Sequence, residues 1–167
     1  MEIVDGMTDE KNAVFQRLVS ISGFQERLVK KEGEKQPVLT VKITSFSYRS
    51  SIPADNSGNG GGFVFDCRAL PNPGRSDQYK EKTGLDPDVS GYLESFPEVH
   101  SFFAQAYRLV ELSIENYLQR GFQHLMVSFG CTGGRHRSVY LANRMYNQLL
   151  KDQRISVEVQ HTEQQAI

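Results

Sequence analysis

The sequence predicts a layered α/β domain in which a mainly parallel central sheet is flanked by helices. Short alternating apolar segments typical of strands are separated by longer segments with helical periodicity. One apolar strand also runs directly into a glycine-rich turn and then into a helix. Strands that alternate with helices favour parallel pairing, because parallel neighbours need a long crossover connection.

Three sections of the chain are predicted. Residues 1–36 form an N-terminal helix and linker, because Thr8 can cap a helix whose rough apolar stripe ends near Gly33. Residues 37–161 form the α/β domain, and residues 162–167 form a polar tail.

The first half of the domain predicts two strands and a flexible loop. Residues 38–43 alternate and predict a strand that continues toward Tyr48. Glycines and small polar residues at 50–62 favour a mobile loop before a short apolar strand at 63–68. Prolines and a glycine fix a turn at 70–74, and residues 76–95 predict loop and short helix.

The second half predicts a long helix from Pro97 to Arg120. Proline suits the first position of a helix, and Gly121 suits its end. The remaining predicted elements are a strand at 124–129, a turn at 130–134, a helix over about 135–151 and a strand at 155–159.

Composition restricts the partners and the cellular location. The 19 Lys and Arg against 20 Asp and Glu leave a net charge of −1, which argues against wrapping nucleic acid by bulk electrostatics. Basic residues nevertheless cluster between Arg135 and Arg154 and favour an anionic ligand. The start shows no secretory signal, no apolar run could cross a membrane, and two cysteines are too few for a disulfide framework. We therefore expect a cytoplasmic protein without membrane contact.

The segment from Cys131 to Ser138 predicts a phosphate-binding loop at the start of a helix. Backbone N–H groups without helical partners and the positive end of the helix dipole attract anions there. Glycine allows close approach of the backbone, and arginine can bind phosphate oxygens through two parallel hydrogen bonds. The alternative is an ordinary glycine-rich turn whose arginines face solvent. The predicted ligand-binding residues are Thr132, Gly133, Gly134, Arg135, His136, Arg137 and Ser138.

The same loop resembles the Cys-x5-Arg-Ser/Thr signature of protein tyrosine phosphatases. Cys131 and Arg137 are the catalytic pair that this resemblance implies, because a thiolate at a helix start can attack phosphorus. The resemblance covers only the loop, Gly130 stands where those enzymes usually have histidine, and the chain has no Trp. Cys131 is alternatively a small residue in a tight turn. Three candidate general acids are Asp66, Asp86 and Asp88.

No metal or cofactor is expected from the sequence. The four histidines are scattered, and neither cysteine has metal-ligand spacing to a partner. A Gly-x4-Gly-Lys-Ser/Thr nucleotide loop is also absent from the sequence.

Four motifs, in order, resemble the C-terminal domain of the RNase adapter protein RapZ family, and the resemblance spans about residues 38–161. They read Phe-Val-Phe-Asp-Cys-Arg-Ala-Leu-Pro-Asn-Pro at 63–73, Thr-Gly-Leu-Asp at 83–86, Val-His-x-Phe at 99–102, and Gly-Cys-Thr-Gly-Gly-x-His-Arg-Ser-Val-Tyr at 130–140. Several ordered motifs are more specific than a single glycine-rich loop.

The resemblance implies a cytosolic bacterial regulatory domain that binds ligands, with no established catalysis. In that family the domain follows an N-terminal nucleotide-binding domain, senses the amino-sugar phosphate glucosamine-6-phosphate, and binds small RNAs. It also contacts protein partners and self-associates, so the expected partners include an upstream nucleotide-binding or kinase domain and a second copy of the chain.

Residues carried over from the resemblance extend the predicted site to a second strand end. Asp66, Arg68 and Asn72 match the first of the four motifs and are candidates for holding the loop or for contacting sugar hydroxyls. Arg49 is a further candidate for contacting the sugar hydroxyls. Asp66 is alternatively a structural hydrogen-bond acceptor. The family's Phe-x-x-Lys-His-Gly segment reads differently at 46–51, with arginine for lysine and no histidine. The family's basic end is also replaced by Gln-His-Thr-Glu-Gln-Gln-Ala-Ile at 160–167, so RNA binding through that tail is expected to be weak or absent. An RNA-binding adapter module is the remaining alternative function.

Overall fold

A computed structural model describes residues 39–58 and 61–164 of the chain. The elements are β1 (Leu39–Ser47), β2 (Gly62–Asp66), α1 (Pro87–Glu94), α2 (Pro97–Arg120), β3 (His124–Cys131), α3 (Arg137–Leu149) and β4 (Ile155–His161). Two short 3₁₀ turns, Pro73–Arg75 and Asp77–Tyr79, lie between β2 and α1. The helix predicted within residues 1–36 lies outside the described residues.

The four described strands form one parallel sheet in the order β2-β3-β1-β4. Strand β1 pairs with β3 from Thr40↔His124 to Ser47↔Cys131, and β2 pairs with β3 up to Asp66↔Gly130. This register brings the carboxyl ends of β1, β2 and β3 to the same edge of the sheet. The predicted α/β class with a parallel sheet flanked by helices is confirmed.

The core lies on the sheet face that carries the odd-numbered residues of β1 and β3. Val41, Ile43 and Val127 are fully buried there against apolar side chains of the helices, among them Val110 of α2 and Leu141 of α3. Alternation along a strand sends the even-numbered side chains to the other face. The core therefore fixes which side chains of each strand face the helices.

Helix α2 begins and ends where the sequence predicts. Pro97 occupies its first turn, and Gly121 adopts a left-handed conformation (φ 70°) directly after Arg120. Glycine takes this conformation without the steric cost of a Cβ atom. Among the helices in the described part of the chain, none is long and apolar enough to cross a membrane.

The end of β3 differs from its prediction. The strand continues to Cys131, two residues beyond the predicted 129, and α3 begins at Arg137, two residues later than predicted. Parallel pairing with Ser47 extends the strand, because Cys131 still has a partner on β1. The loop between strand and helix therefore runs from Thr132 to His136.

Candidate anion-binding site

The end of β1 positions the loop that follows β3. The hydroxyl of Ser47 donates a hydrogen bond to the Thr132 carbonyl oxygen at 2.8 Å, and the Tyr48 amide donates to the Cys131 carbonyl oxygen at 3.0 Å. The amide of Arg49 in turn donates to the Ser47 hydroxyl at 3.1 Å. The first loop residues are thus fixed by a neighbouring strand distant in sequence.

Gly134 makes the sharp turn of the loop. Its backbone is left-handed (φ 63°), and a Cβ atom there would lie 2.9 Å from the Ser47 amide nitrogen and overlap the side chain of Glu163. Gly133 has neither restriction, since nothing lies within 4 Å of its Cβ position. The two glycines of the motif therefore differ in their structural role. Only Gly134 must be glycine for the turn to form.

Arg137 is the most deeply buried cation of the loop region, at 5% exposure. Its Nη1 donates to the carbonyl oxygens of Arg68 at 2.8 Å and Leu70 at 3.1 Å. Within residues 39–58 and 61–164, its Nε is buried and has no hydrogen-bond partner. A guanidinium nitrogen in this state is costly, because burial has removed its water and supplied no acceptor. An anion bound beside it would supply that acceptor.

The two preceding side chains also hold the segment between β2 and α1. Arg135 donates from Nη2 to the Glu81 carbonyl oxygen at 3.1 Å. His136 Nε2 lies 2.8 Å from the Tyr79 carbonyl oxygen. A carbonyl oxygen only accepts, so this geometry places a proton on Nε2. Three consecutive basic side chains therefore connect the loop to one backbone segment.

These contacts enclose a small cavity of about 240 Å³. The residues that line it are Arg49, Asn72, Gly74, Cys131, Thr132, Gly133, Arg135, His136 and Arg137. Three are arginines, and none carries a carboxylate. Clustered cations in a concave, partly dehydrated site favour an anion electrostatically. Seven of the predicted ligand-binding residues are thus brought together, namely Arg49, Asn72, Thr132, Gly133, Arg135, His136 and Arg137.

Asp66 and Arg68 are not brought into this cavity. They pair with each other through Arg68 Nη2 and Asp66 Oδ2 at 2.6 Å and through two bonds from Nε at 3.0 Å. The hydrogen bond from Arg68 lowers the pKa of the Asp66 carboxyl. The Arg68 guanidinium also lies over the Tyr48 ring, 4.1 Å from its centroid. This geometry favours the structural interpretation of Asp66.

Gly134 and Ser138 also lie beside the cavity without lining it. The Ser138 hydroxyl is 3.1 Å from the Cys131 sulfur and is fully buried. Burial raises the pKa of the Cys131 thiol, but hydrogen bonds from Ser138 and the charge of Arg137 outweigh it, and the pKa is lowered overall. The sulfur is therefore biased toward the thiolate form.

The three candidate general acids have partners elsewhere. Asp86 accepts hydrogen bonds from the amide and hydroxyl of Thr83, and Asp88 pairs with Lys82. Asp66 pairs with Arg68, as described above. Because none of these carboxyl groups lines the cavity, the structure brings a thiol and arginines together without a carboxylic acid.

Two glycines that hold the site were missed as site residues. A Cβ at Gly84 would overlap the His136 carbonyl oxygen and the Tyr140 amide nitrogen, so Gly84 packs directly on the start of α3. A Cβ at Gly74 would lie 3.3 Å from the imidazole of His136. Both glycines fall in or beside the sequence motifs, and that position is the only sign of their role in the sequence itself.

Fold and site together define a parallel α/β domain with a glycine- and arginine-rich loop between a strand and a helix. The RapZ C-terminal domain model matches residues 39–165. The chain belongs to this family, as the four motifs predict.

Curated relatives agree with this assignment. A nucleotide-binding protein of Clostridium kluyveri is 40% identical over 135 residues, which cover 81% of this chain and 44% of that protein. A nucleotide-binding protein of Thermotoga sp. (strain RQ2) is 41% identical over 68% of this chain and 38% of its own length. A third, from Solibacter usitatus, is 39% identical over 68% of this chain and 34% of its own length. The chain therefore spans less than half the length of these relatives.

Proposed function

We propose that this chain is a regulatory domain that binds a phosphorylated small molecule, an amino-sugar phosphate such as glucosamine-6-phosphate. The phosphate lies against the loop from Thr132 to Ser138. The observation that carries the proposal is Arg137, which is buried and tied to two carbonyl oxygens, yet keeps an unpartnered Nε beside a cavity lined by cations.

Two polar side chains are suited to the sugar. Asn72 uses its Oδ1 to accept from the Gly74 amide at 3.1 Å, so its amide NH₂ remains for a ligand hydroxyl. Within residues 39–58 and 61–164, no hydrogen bond to the Arg49 guanidinium is found, and Arg49 lines the same cavity. The Asn72 amide donor and the Arg49 cation therefore suit a ligand that carries hydroxyl groups next to a phosphate.

The cavity volume favours a small ligand. About 240 Å³ lies below the roughly 300–1,000 Å³ of pockets that enclose drug-sized ligands. The relatives are named for nucleotide binding, and this chain spans less than half of each. We propose that a nucleotide fits this small site less well than a sugar phosphate, so adenosine monophosphate serves as a comparison ligand in the binding test.

Backbone and side-chain NMR shifts during titration with glucosamine-6-phosphate test the proposal. Shifts are expected to concentrate at residues 132–138 and Asn72. Arg49→Gln is expected to weaken binding by roughly tenfold, the effect of losing one charge-assisted hydrogen bond. Arg120→Gln is the matched control, since Arg120 lies at the end of α2 over the Phe122 ring and outside the cavity.

Two results contradict the proposal. One is a set of shifts that avoids residues 132–138. The other is equal binding of inorganic phosphate, glucosamine-6-phosphate and adenosine monophosphate, which would leave a general anion site without sugar recognition.

A cysteine-dependent phosphatase is the second candidate function. The lowered pKa of Cys131 and its contact with Ser138 favour it. None of the described residues that line the cavity carries a carboxylic acid, which argues against it. Turnover of an aryl phosphate that disappears in Cys131→Ser, with binding of glucosamine-6-phosphate retained, would establish the phosphatase. Equal background rates for both proteins would remove it.

A further inference from the structure

The two cysteines of the chain lie at the ends of adjacent strands. Strand β2 pairs with β3 up to Asp66↔Gly130, and the Cys67 amide donates to the Gly130 carbonyl oxygen at 2.8 Å. This bond continues the ladder by one residue. Cys67 and Cys131 are therefore the next neighbours across the two strands.

Both sulfur atoms lie on the same face of the sheet. Two residues earlier on each strand, Phe65 and Phe129 stack with ring centroids 5.2 Å apart. Side chains alternate with a period of two, so Cys67 follows Phe65 and Cys131 follows Phe129 on that face. Both cysteines are buried in the same core cluster as free thiols. Neighbouring strands are about 4.8 Å apart, inside the roughly 4.4–6.8 Å between Cα atoms that a disulfide requires.

The surroundings make the two thiols unequal. Cys131 lines the small cavity. Hydrogen bonds from Ser138 and the charge of Arg137 together lower its pKa, although burial alone would raise it. Cys67 is fully buried, and burial raises its pKa well above the ordinary value. Within the described residues, the one hydrogen-bond partner of its sulfur is the Phe65 carbonyl oxygen, at 3.7 Å. Cys131, which lines the cavity and has the lower pKa, is therefore the better nucleophile, and Cys67 is the partner that attacks second.

We propose that Cys67 and Cys131 form a reversible disulfide when a peroxide enters the cavity. The Cys131 thiolate attacks one peroxide oxygen, a sulfur–oxygen bond forms, and the oxygen–oxygen bond breaks to release hydroxide, which takes up a proton to become water. The Cys67 sulfur then attacks the resulting sulfenic acid at the Cys131 sulfur. The sulfur–sulfur bond forms, the sulfur–oxygen bond breaks, and the hydroxyl leaves as water with the Cys67 proton.

The electrons balance over the two steps. Two thiols lose two electrons and two protons in total, and one hydrogen peroxide becomes two waters. A thiol reductant reverses the reaction by disulfide exchange. The proposal uses the cavity only as the entry path for peroxide, so it is independent of the ligand proposed above.

Mass spectrometry of the whole chain is the direct test. After hydrogen peroxide treatment, thiol alkylation under denaturing conditions is expected to leave both cysteines unmodified. The chain is expected to lose the mass of two hydrogen atoms and to remain monomeric on a non-reducing gel. Dithiothreitol should restore both alkylation sites. Two alkylated cysteines after peroxide, or a disulfide between two chains, would overturn the proposal.

Single substitutions test the order of the two steps. Cys67→Ser is expected to stop at the Cys131 sulfenic acid, which dimedone traps. Cys131→Ser is expected to leave Cys67 reduced at the same peroxide dose. Oxidation of Cys67 in the absence of Cys131 contradicts the assignment of the attacking thiol. The wild-type mass measurement does not depend on these variants and decides the proposal if either fails to fold.

Discussion

Strands β2 and β3 end side by side, yet the charged residues associated with the two ends differ in what they offer a ligand. After β2, Asp66 and Arg68 neutralise each other through several hydrogen bonds at the surface. After β3, the buried Arg137 has only carbonyl partners and keeps one nitrogen unpartnered. The comparison teaches that a charged residue in a motif is available to a ligand only where no closer partner already satisfies it.

Replacing Arg137 and Arg68 in turn should give the largest contrast. Arg137→Gln is expected to lower the free energy of unfolding by about 2–3 kcal/mol, because it leaves the Arg68 and Leu70 carbonyl oxygens without their charged donor. Arg68→Gln, at an exposed ion pair, is expected to leave stability nearly unchanged. Urea unfolding measures both. Equal losses would show that the two strand ends do not differ as described.

Adjacent glycines in the loop offer a smaller contrast. Gly134→Ala is expected to lower stability by about 1–2 kcal/mol, since alanine is strained at φ 63° and its Cβ would approach Ser47. Gly133→Ala is the matched control, because its Cβ position is open. It should change stability by less than about 0.5 kcal/mol. Thermal unfolding of the two variants makes the comparison, and a neutral Gly134→Ala would contradict the required left-handed turn.

The two cysteines at the ends of β2 and β3 are expected to differ in their rates of alkylation. Iodoacetamide at neutral pH is expected to modify Cys131 faster than Cys67, because Cys131 lines the cavity and a lower pKa raises the fraction of reactive thiolate. The pKa of Cys131 is lowered, whereas that of Cys67 is raised by burial. Peptide mapping after short exposures gives the two rates. Faster modification of Cys67 would reverse the assignment.

The smallest expected effect is the pH dependence at the end of β2. The Arg68 hydrogen bond lowers the pKa of Asp66 in the folded state. The pair therefore stabilises the fold above the unfolded carboxyl pKa and loses this contribution as pH falls through the folded pKa. Asp66→Asn should remove part of the acid sensitivity of unfolding, with an effect smaller than that of Gly134→Ala because both side chains are exposed. An unchanged acid profile would show that the pair contributes nothing.

Local signals predicted the elements of the fold well. Pro97 and Gly121 mark the ends of α2, since each acts on the backbone angles of its own position. The start of α3 was misplaced by two residues because Gly134, Arg135 and His136 also suit a first helical turn. In the structure, Arg135 and His136 bind the carbonyl oxygens of Glu81 and Tyr79 instead. Contacts so distant in sequence leave no periodic pattern.

The site was predicted as a set of residue types and only partly as an arrangement. The loop residues are consecutive, so their proximity follows from the chain itself, and the parallel sheet brings Asn72 and Arg49 to the same edge. The pairing of Asp66 with Arg68 could not be foreseen, because neighbouring charges can face each other or face a ligand. Gly84 was not recognised because the reason for a glycine there is a backbone contact with α3.

The strand order has a consequence for how the chain reaches its native state. Central strand β1 pairs only with β3 and β4, which are made much later, and Ser45 lies 116 positions from its hydrogen-bond partner His161. Loop closure over such separations is slow, so we expect folding rates typical of non-local topologies. During synthesis both edges of β1 therefore stay without their native partners until β3 and β4 have been made.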